Sequence, residues 1–418
     1  MTDINVSIRP SSLRKAEVPA ALDISALLTM PISGYLTPPQ ISIAYNIPAG
    51  NGAGIKLGII APLGGGFLQS DLDASFADLI AAGLITSGTP APIINQVLLD
   101  DRTGVFDIND AGSTENTVDI YCIATMVPAA DITIYISDGF ASAIDRAISD
   151  GCHIISISYA YTREPPYSTS LEDKFALAAA AKIAICVASG DTGSSFVGQS
   201  DVRIGYPGSS PAVINIGGTH LFLNNDNTRS YESDDNRDPA FGSSWGGGGG
   251  VSRYFSLPDW QAGLTYTPII NGVMGDPTPL TMRGVPDISA PMNGYLVYIG
   301  GILYSIGGTS LSAPFIAGVL ARIQALTSIQ RSSAEYNALF YANPAGFYDI
   351  TVGTNNTLIT DGYAGTESWD PVTGLGPPIG NLFYTVPDIN SGPSLVFPKF
   401  NNGTRLTTGQ IWPRTTSR

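Results

Sequence analysis

The sequence predicts an α/β protein in three layers, with a mostly parallel central sheet flanked by helices on both faces. Between residue 55 and about residue 220, short β-rich apolar runs alternate with segments of helical spacing. The runs are mostly apolar at successive positions, which is typical of strands that are covered on both faces. Strands joined through helices are parallel, because the connection must cross back over the sheet.

Individual elements follow from the same patterns. Apolar runs bounded by Gly, Asp or Pro predict strands at residues 55–61, 132–137, 154–158, 183–188 and 213–216. Helical spacing of Leu, Ile, Ala and Phe predicts helices at residues 70–82, 115–126, 140–149, 171–181 and 333–341, and one more that begins near residue 310. Residues 224–280 are polar and rich in Gly and Pro, and we expect long surface loops there.

The domain organisation follows from these elements and from the length of the chain. A chain of 418 residues can bury a large core, and we expect one domain over residues 36–388. Residues 1–35 and 389–418 are rich in Pro, Ser, Thr or Asn. They are predicted to be N- and C-terminal extensions held by few contacts.

Composition limits the classes of partner. The chain has 20 Lys and Arg against 35 Asp and Glu, a net charge of −15, which argues against nucleic acid or an anionic membrane as partner. No run of about 18 uninterrupted apolar residues occurs, so no membrane span is predicted. Residues 18–30 resemble a signal peptide only weakly, because Pro19 and Asp23 interrupt them and no cleavage site is evident. Charged residues make up only 13% of the chain, which favours tolerance of acid.

The three cysteines, Cys122, Cys152 and Cys186, lie inside apolar runs. An odd number of cysteines in such surroundings indicates buried thiols. We therefore expect neither a disulfide framework nor a cysteine metal site.

A candidate nucleophile stands where the helix near residue 310 begins. The Gly-Gly-Thr-Ser segment of residues 307–310 precedes an apolar run, which places the Ser310 hydroxyl near free N–H groups and the positive end of the helix dipole. This arrangement suits an activated serine. The chain has only two histidines, so we expect a different base. His153 precedes a buried strand and is predicted to be structural, and His220 follows a strand end and is predicted at the surface.

Three acidic residues are candidates for the accompanying chemistry. Glu115 and Asp119 are four residues apart and share one face of a helix. They are either solvated acids near a helix start or a coupled pair that shares a proton, with one pKa raised for a general base. Asp191 follows an apolar strand, where active sites of parallel sheets lie. It is either a turn aspartate or a protonated acid that donates a hydrogen bond to an oxyanion.

Two further aspartates, Asp349 and Asp370, stand in turn-rich segments near the C-terminal end of the domain. Carboxylates held by tight turns with free backbone carbonyls nearby suit a hard cation that prefers oxygen ligands. The alternative is a pair of turn aspartates without a metal.

Together these motifs resemble the sedolisin family of serine-carboxyl peptidases, and the kumamolisin-like members in particular. The resemblance runs from about residue 35 to about residue 388 and includes segments that no short motif requires: Gly64-Gly65-Gly66, Gly217-Gly218-Thr219, Gly248-Gly249-Gly250-Val251-Ser252-Arg253, Leu257-Pro258-x-Trp260-Gln261 and Arg283-Gly284-Val285-Pro286-Asp287. It implies a subtilisin-like fold with Ser310 as nucleophile and Glu115 as general base. It further implies that Asp119 orients Glu115 and shares its proton, and that Asp191 is the oxyanion donor.

The resemblance also implies one structural Ca²⁺ ion. Its ligands would be the side chains of Asp349 and Asp370 and the backbone carbonyls of Ile350, Thr366 and Ser368. Related sequences usually read Ala-Gly-x-Gly-Trp-Asp before the last ligand, whereas this loop is one residue longer and lacks the second glycine.

The function predicted from the resemblance is an acid-acting endopeptidase for protein or peptide substrates, in an extracellular or otherwise acidic environment. The alternative is a structural or binding protein of a larger assembly, with the apolar tail at residues 395–400 docking onto a partner. Retention of the four catalytic residues favours the enzyme.

Four features of the chain bear on the comparison with the family. Pro62 stands where some relatives carry a glutamate, and Ser158-Tyr159-Ala160 replaces the usual Ser-Trp-Gly. Sedolisins are normally made with a large inhibitory prodomain, and 34 residues are too few for one. The chain is therefore either a processed form or one that folds without that help. The polyglycine run at residues 246–250 is predicted to be a cleft edge rather than a flexible linker.

Overall fold

The computed structural model describes residues 8–10, 13–19, 28, 35–162, 164, 169–195, 202–235, 245–357 and 361–380. The predicted C-terminal extension, with its apolar tail, lies outside the described residues.

The described residues form seven α-helices, two 3-10 helices at Asp259–Gln261 and Pro344–Gly346, and twenty-one strands, several of which are only two or three residues long. The helices are α1 Pro38–Ala44, α2 Gln69–Ala81, α3 Ala111–Met126, α4 Phe140–Ser149, α5 Thr169–Ala180, α6 Thr309–Thr327 and α7 Ser333–Ala342. The first strands are β1 Ile8–Pro10, β2 Arg14–Glu17, β3 Lys56–Ala61, β4 Asn95–Leu98, β5 Asp131–Ile136, β6 Ile154–Ile157, β7 Tyr159–Tyr161, β8 Ala184–Ala188, β9 Ile214–Leu223 and β10 Arg229–Asp235. The remaining strands are β11 Gly250–Ser256, β12 Thr265–Tyr266, β13 Pro268–Ile270, β14 Val273–Met274, β15 Thr278–Pro279, β16 Met282–Val285, β17 Ile288–Pro291, β18 Tyr295–Ile299, β19 Ile302–Gly307, β20 Gly353–Thr354 and β21 Gly362–Tyr363.

The main sheet of the described residues has nine strands. Eight of them follow the order β20-β10-β9-β8-β6-β3-β5-β4, and β17 pairs with β9 beside this path. All pairings from β4 to β9, and that of β17, are parallel, whereas β10 runs antiparallel to β9. The prediction of a mostly parallel central sheet is confirmed, and its strands bring their carboxyl ends to one edge.

Helices cover both faces of this sheet. Helices α1, α2, α3, α6 and α7 share one buried apolar cluster with the sheet, and α4 and α5 share another. Within β3, Leu57 and Ile59 belong to the first cluster and Ile60 to the second. Successive side chains of a strand point to opposite faces, so burial on both sides explains why these strands are mostly apolar at successive positions.

Helix α6 lies in the interior of the protein. It is long and apolar enough to cross a membrane, but 83% of its most apolar 18-residue window is buried inside the protein, as in a core helix. Gly318 lets it approach α3 closely, since an added Cβ would lie 2.6 Å from the Cβ of Met126. This contact fixes the relative position of the two helices that carry Ser310 and Glu115.

The described cysteines match the sequence prediction. Cys122, Cys152 and Cys186 are free and buried. Burial raises the pKa of each thiol, which keeps it protonated and unreactive.

The expectation that residues 1–35 are held by few contacts is wrong for the described part of that segment. Strand β1 pairs with β7, and β2 pairs with β19, which lies in the last third of the sequence. Val18 and Leu28 are buried in the main apolar cluster. Local sequence patterns could not show this, because the pairing partners are far away along the chain.

The expectation of long loops at residues 224–280 is also wrong in part. The described residues of this region form short antiparallel pairs, among them β10 with β9, β12 with β15 and β13 with β14. The strands from β12 to β15 have only two or three residues, too few to produce a periodic pattern, so the sequence shows only their turns. Residues 236–244 are not among those described.

Candidate active site

Four predicted residues come together at the carboxyl edge of the sheet. Helix α3 carries Glu115 and Asp119, the loop after β8 carries Asp191, and the first turn of α6 carries Ser310. Asp119, Ser310 and Asp191 all act on the ionisation of Glu115, which places all four within electrostatic or hydrogen-bonding reach of that carboxyl. The structure therefore brings together every residue that the motifs singled out for catalysis.

Helix α3 presents the acid pair in the interior. Its N-cap residue Asp110 accepts a hydrogen bond from the N–H of Ser113 at 2.8 Å, which fixes the start of the helix. Glu115 and Asp119 are both 0% exposed. The interpretation of these residues as solvated surface acids is therefore wrong, and they form a buried pair.

Burial is the main cause of the unusual ionisation of the pair. It raises the pKa of Glu115 well above its ordinary value; the charges of Asp119 and Asp191 raise it further, and the Ser310 hydroxyl lowers it. Burial also raises the pKa of Asp119, against a hydrogen bond that the Ser158 hydroxyl donates to Oδ1 at 2.6 Å. Two coupled carboxyls in such a site titrate as a unit and retain a proton into higher pH than isolated acids.

The contact between Glu115 and Ser310 is close but not fully formed. The Ser310 hydroxyl affects the pKa of Glu115, yet no hydrogen bond of ordinary geometry reaches Ser310 Oγ or the Glu115 carboxyl oxygens within the described part of the chain. Buried polar atoms without partners cost stability and mark sites kept for another purpose. Hydrogen bonds between a base and its nucleophile are often loose before substrate binds.

Asp191 is held by the residue next to Ser310. Its Oδ1 accepts hydrogen bonds from the backbone N–H and the hydroxyl of Thr309, both at 2.7 Å. Its Oδ2 faces Gly308, where an added Cβ would lie 2.8 Å from that oxygen. Gly308 also has a φ of 150°, so glycine here keeps Asp191 beside the start of α6. The sequence motifs did not reveal this anchoring role of Thr309.

The polyglycine run lies against the Asp191 loop. Gly246 donates its N–H to the Asp191 carbonyl at 3.1 Å, and Gly248 donates to the Gly190 carbonyl at 2.7 Å. An added Cβ at Gly248 would lie 2.3 Å from the Ser189 carbonyl oxygen, a distance that no side chain tolerates. Close backbone approach is therefore the reason for these glycines, and they are not a flexible linker.

At the position of the departure from Ser-Trp-Gly, Tyr159 belongs to a hydrogen-bonded chain behind the site. Tyr159, which replaces the usual tryptophan, is buried and donates its hydroxyl to Asn116 Oδ1 at 3.0 Å. Asn116 in turn donates to the Gly64 carbonyl at 3.0 Å. Asn116 was missed in the sequence; the only signal for it is its place next to Glu115.

The two histidines occupy different places. His153 accepts a hydrogen bond from the N–H of Lys56 at 2.8 Å, where β3 and β6 begin, at the opposite edge of the sheet from Asp191. The prediction of His220 at the surface is wrong: it is 4% exposed and its ring lies 5.4 Å from that of Trp245. Strand β9 is longer than the predicted 213–216 and carries His220 into the interior.

The C-terminal loop brings Asp349 and Asp370 close to each other. Asp370 is fully buried, and its pKa is raised to about 7 chiefly by burial, with a contribution from the charge of Asp349. Its Oδ2 accepts the N–H of Thr366 at 3.0 Å, and Asp349 accepts the N–H of Ser368 at 2.8 Å. The Ile350 carbonyl lies in the same loop, 3.3 Å from an ideal Cβ on Gly365.

Ser368 stands where related sequences usually have glycine. Its φ of 70° lies in the left-handed region that glycine prefers. The loop therefore adopts a glycine-like turn despite the substitution. Among the described residues no cluster of three or more His, Cys, Asp or Glu side chains could hold a metal, so a cation here would need carbonyl ligands.

Comparison with known proteins gives a consistent result. The model of the subtilase family matches residues 135–341. Kumamolisin from Bacillus sp. (strain MN-32) is 34% identical over 362 residues, which cover 82% of this chain and 62% of kumamolisin. Sedolisin from Pseudomonas sp. (strain 101) is 32% identical over 255 residues, which cover 57% of this chain and 41% of that protein. The chain thus spans less than two thirds of the length of these relatives.

A solved structure extends the similarity to the fold. It is that of a Pseudomonas sedolisin, a serine-carboxyl proteinase complexed with two molecules of pseudo-iodotyrostatin. The TM-score is 0.67 at 25% identity, and the match covers 86% of this chain and 99% of the other. The three-layer arrangement is therefore the subtilisin-like fold that the sequence predicted.

Proposed function

The chain belongs to the sedolisin family of serine-carboxyl peptidases, and from this membership we propose that it is an acid-acting endopeptidase for protein or peptide substrates. The observation that carries the proposal is the buried acid pair beside Ser310. No cationic side chain is among the groups that shift the pKa of Glu115 or Asp119. A buried carboxyl pair without such a partner destabilises the folded protein. Next to a serine at a helix N-terminus, it supplies the base that the serine needs.

The proposed reaction proceeds through an acyl-enzyme. Ser310 Oγ attacks the carbonyl carbon of the peptide bond while Glu115 accepts the hydroxyl proton. Asp119 orients Glu115 and shares its proton, and the Ser158 hydroxyl donates a hydrogen bond that holds Asp119 in place. The proton on Glu115 then passes to the leaving amine, and water hydrolyses the acyl-enzyme by the same steps in reverse order.

Asp191 is the proposed oxyanion donor. Its Oδ1 accepts hydrogen bonds from Thr309, and its Oδ2 lies beside Gly308, where the helix of Ser310 begins. A carboxylic acid donates a hydrogen bond only when it is protonated. The developing oxyanion is stabilised only while that proton is present, so we expect activity on the acid side of neutrality.

Hydrolysis of an unfolded protein substrate from pH 3 to pH 7 tests the proposal. We expect Ser310→Ala and Glu115→Gln to lower kcat by about 10³-fold or more, as for other enzymes that lose a member of the catalytic group. Ser149→Ala and Asp173→Asn, at exposed sites on α4 and α5, are matched controls that should retain full activity. Circular dichroism must show that every variant is folded.

Two outcomes contradict the proposal. One is a folded chain without activity at any of these pH values with calcium present, which would favour the structural or binding role. The other is activity that persists in both the Ser310→Ala and the Glu115→Gln proteins.

We further propose that the C-terminal loop binds one Ca²⁺ ion for stability. The ligands would be the side chains of Asp349 and Asp370 and the carbonyls of Ile350, Thr366 and Ser368. The donor chemistry supports this, because two neighbouring carboxylates, one fully buried, with carbonyl oxygens in the same loop suit a hard divalent cation. When bound, the ion would neutralise the two acids and hold the loop.

Thermal unfolding with and without a chelator tests the ion site. A ligand that binds only the folded state, at 100 times its Kd, adds about 2.7 kcal/mol to the free energy of unfolding. We expect chelation to lower the Tm, added Ca²⁺ to restore it, and Asp370→Asn to lose this response. A Tm that ignores both chelator and Ca²⁺ would contradict the proposal.

A further inference from the structure

Asn355, between the short strands β20 and β21, is fully buried and hydrogen-bonded to several distant segments. Its side-chain nitrogen donates to the carbonyl of Pro371 at 2.9 Å and to that of Gly249 at 3.3 Å. Its side-chain oxygen accepts the N–H of Tyr363 at 2.9 Å. In the main chain, its N–H donates to the Tyr363 carbonyl at 3.1 Å, and its carbonyl accepts the N–H of Ser194 at 2.8 Å. Asn355 thus uses every hydrogen-bonding group that it has.

Two of these partners belong to the loops of the candidate sites. Ser194 lies in the loop of Asp191, three residues further along the chain. Pro371 directly follows Asp370 in the C-terminal loop. One buried residue, Asn355, therefore connects the loop of the proposed oxyanion donor to the C-terminal loop.

The polyglycine run is the third segment that meets at this point. An added Cβ at Gly249 would lie 2.0 Å from the Pro371 carbonyl oxygen, so the run packs directly against the C-terminal loop. Further along the run, Gly246 donates its N–H to the Asp191 carbonyl at 3.1 Å. The run thus lies between the two loops, and Asn355 holds it at the carbonyl of Gly249.

The hydrogen bonds of this position require an asparagine. The side chain must donate to two carbonyls and accept from one N–H, which a carboxylate or an apolar group cannot do. An alanine here would leave the carbonyls of Gly249 and Pro371 without these donors in the interior, and such unpaired groups destabilise the arrangement around them.

We propose that Asn355 is a positioning residue for Asp191, because it fixes the loop of the proposed oxyanion donor to the C-terminal loop at Pro371. A change in the C-terminal loop then reaches Asp191 through Asn355. An oxyanion donor acts only from the correct position, so a small displacement of its loop lowers kcat. The inference rests on the proposed function for the role of Asp191, whereas the connection between the loops does not depend on that role.

Hydrogen exchange measured by mass spectrometry tests the connection without relying on activity. All proteins carry Ser310→Ala, so that none can cut itself. We expect Asn355→Ala to speed the exchange of backbone amides in residues 189–195 and 246–250 by about tenfold, because these amides lose the support of their neighbouring loop.

Asn337→Ala is the matched control for this experiment. Asn337 is a second fully buried asparagine, on α7, and its side chain donates to the carbonyl of Val213 at 2.9 Å. Its loss should lower the urea midpoint to a similar extent but leave the exchange of residues 189–195 and 246–250 unchanged.

A double-mutant cycle tests whether the C-terminal loop acts through Asn355. Asp370 accepts the N–H groups of Val372 and Thr373, both at 2.8 Å, so Asp370→Ala loosens the chain around Pro371. We expect this substitution to speed the exchange of residues 189–195 in a chain with Asn355. It should add nothing in a chain that already carries Asn355→Ala.

Steady-state kinetics in chains with Ser310 intact tests the positioning role. Asn355→Ala should lower kcat for an unfolded protein substrate about tenfold and leave KM within about twofold, since the transition state depends on the donor more than substrate binding does. Asn337→Ala should change neither. Asn355→Asp, which has the same shape but lacks the two amide N–H groups, is a second variant in case Asn355→Ala fails to fold. It should act in the same direction.

The outcomes separate this inference from the proposed function. Faster exchange of residues 189–195 in the Asn355 variants but not in Asn337→Ala supports the connection even if the chain hydrolyses nothing. Equal exchange in both kinds of variant overturns it even in an active peptidase, as does an effect of Asp370→Ala that is independent of Asn355. In an active peptidase, an unchanged kcat in both Asn355→Ala and Asn355→Asp overturns the positioning role.

Discussion

The fully buried acid Asp287 and the fully buried pair of Glu115 and Asp119 differ in the charges and hydrogen-bond donors that surround them. Asp287 accepts hydrogen bonds from both terminal nitrogens of Arg283, at 2.6 and 2.5 Å, and both side chains are 0% exposed. It also accepts the N–H of Asn215 at 2.8 Å and the hydroxyl of Tyr341 at 3.1 Å. Its charge is thus matched by a cation and its oxygens by donors.

The pair of Glu115 and Asp119 is equally buried but lacks such compensation. Burial raises the pKa of both acids, and the Asp119 charge raises that of Glu115 further. The Ser310 hydroxyl lowers the pKa of Glu115, and the Ser158 hydroxyl lowers that of Asp119. The difference shows that burial alone does not fix the state of a carboxyl. A matched ion pair stabilises a permanent charge, whereas an unmatched pair keeps a proton available for transfer.

The largest effect should come from breaking the matched pair. Arg283→Met leaves the Asp287 charge buried without its cation, and we expect a loss of about 3–5 kcal/mol in the free energy of unfolding. Arg146→Met, which breaks an exposed pair with Asp150, is the matched control with an expected loss of about 0.5 kcal/mol. Urea denaturation measures both, and a loss below about 1 kcal/mol for Arg283→Met would contradict the comparison.

Substitution of the positioning residue Asp119 by asparagine tests the unmatched pair. The asparagine keeps an oxygen for the Ser158 hydroxyl but removes the charge that raises the pKa of Glu115. We expect kcat to fall about 10²-fold, and the acid limb of the pH–rate profile, where Glu115 loses its proton, to move to lower pH. A purely structural role would change the rate without moving this limb.

The control for this experiment is Asp276→Asn, at an exposed site remote from the acid pair in sequence. It should change neither kcat nor the pH profile. A shift of the acid limb to higher pH in Asp119→Asn would contradict the assignment of Glu115 as the base.

Another buried acid, Glu172, is expected to give the smallest effect, a change in how stability depends on pH. Burial raises its pKa from 4.5 to about 7, although the hydroxyls of Tyr206 and Ser210 donate to it. Between these values the unfolded chain releases the proton and the folded chain keeps it, so stability falls as the pH rises. Between pH 4 and pH 7, the free energy of unfolding should fall by about 2 kcal/mol less in Glu172→Gln than in the parent chain.

Urea denaturation at several pH values measures this slope. Asp276→Asn, at an exposed site that is not among the groups acting on Glu172, is the matched control and should leave the slope unchanged. An identical pH dependence in Glu172→Gln and the parent chain would show that Glu172 is ionised in the folded state at these pH values.

Much of the scaffold could be predicted because buried parallel strands have a distinctive local pattern. The runs that form β3, β6 and β8 are apolar except at Lys56 and Ser156, and the carboxyl-edge rule then placed Asp191 at the site. Ser310 was recognisable from the glycines before it. These signals all lie within a few residues of the position that they identify.

The features that escaped prediction depend on contacts distant in the sequence. The spacing of Glu115 and Asp119 is the same in a solvated helix and in a buried one, and only the packing of α6 and β7 around α3 decides between them. The same holds for β1 and β2, whose partners lie far along the chain. His220 was misplaced because the end of β9 was set too early.

The contact of Gly318 with Met126 ties the reaction centre to a part of the core remote from any substrate. Gly318 stands eight residues after Ser310, about 12 Å along the helix axis at 1.5 Å per residue. A bulkier residue there would wedge α6 away from α3 and separate nucleophile and base while leaving every catalytic side chain intact. Evolution or laboratory selection can therefore tune the turnover of this fold through interior residues that never meet the peptide.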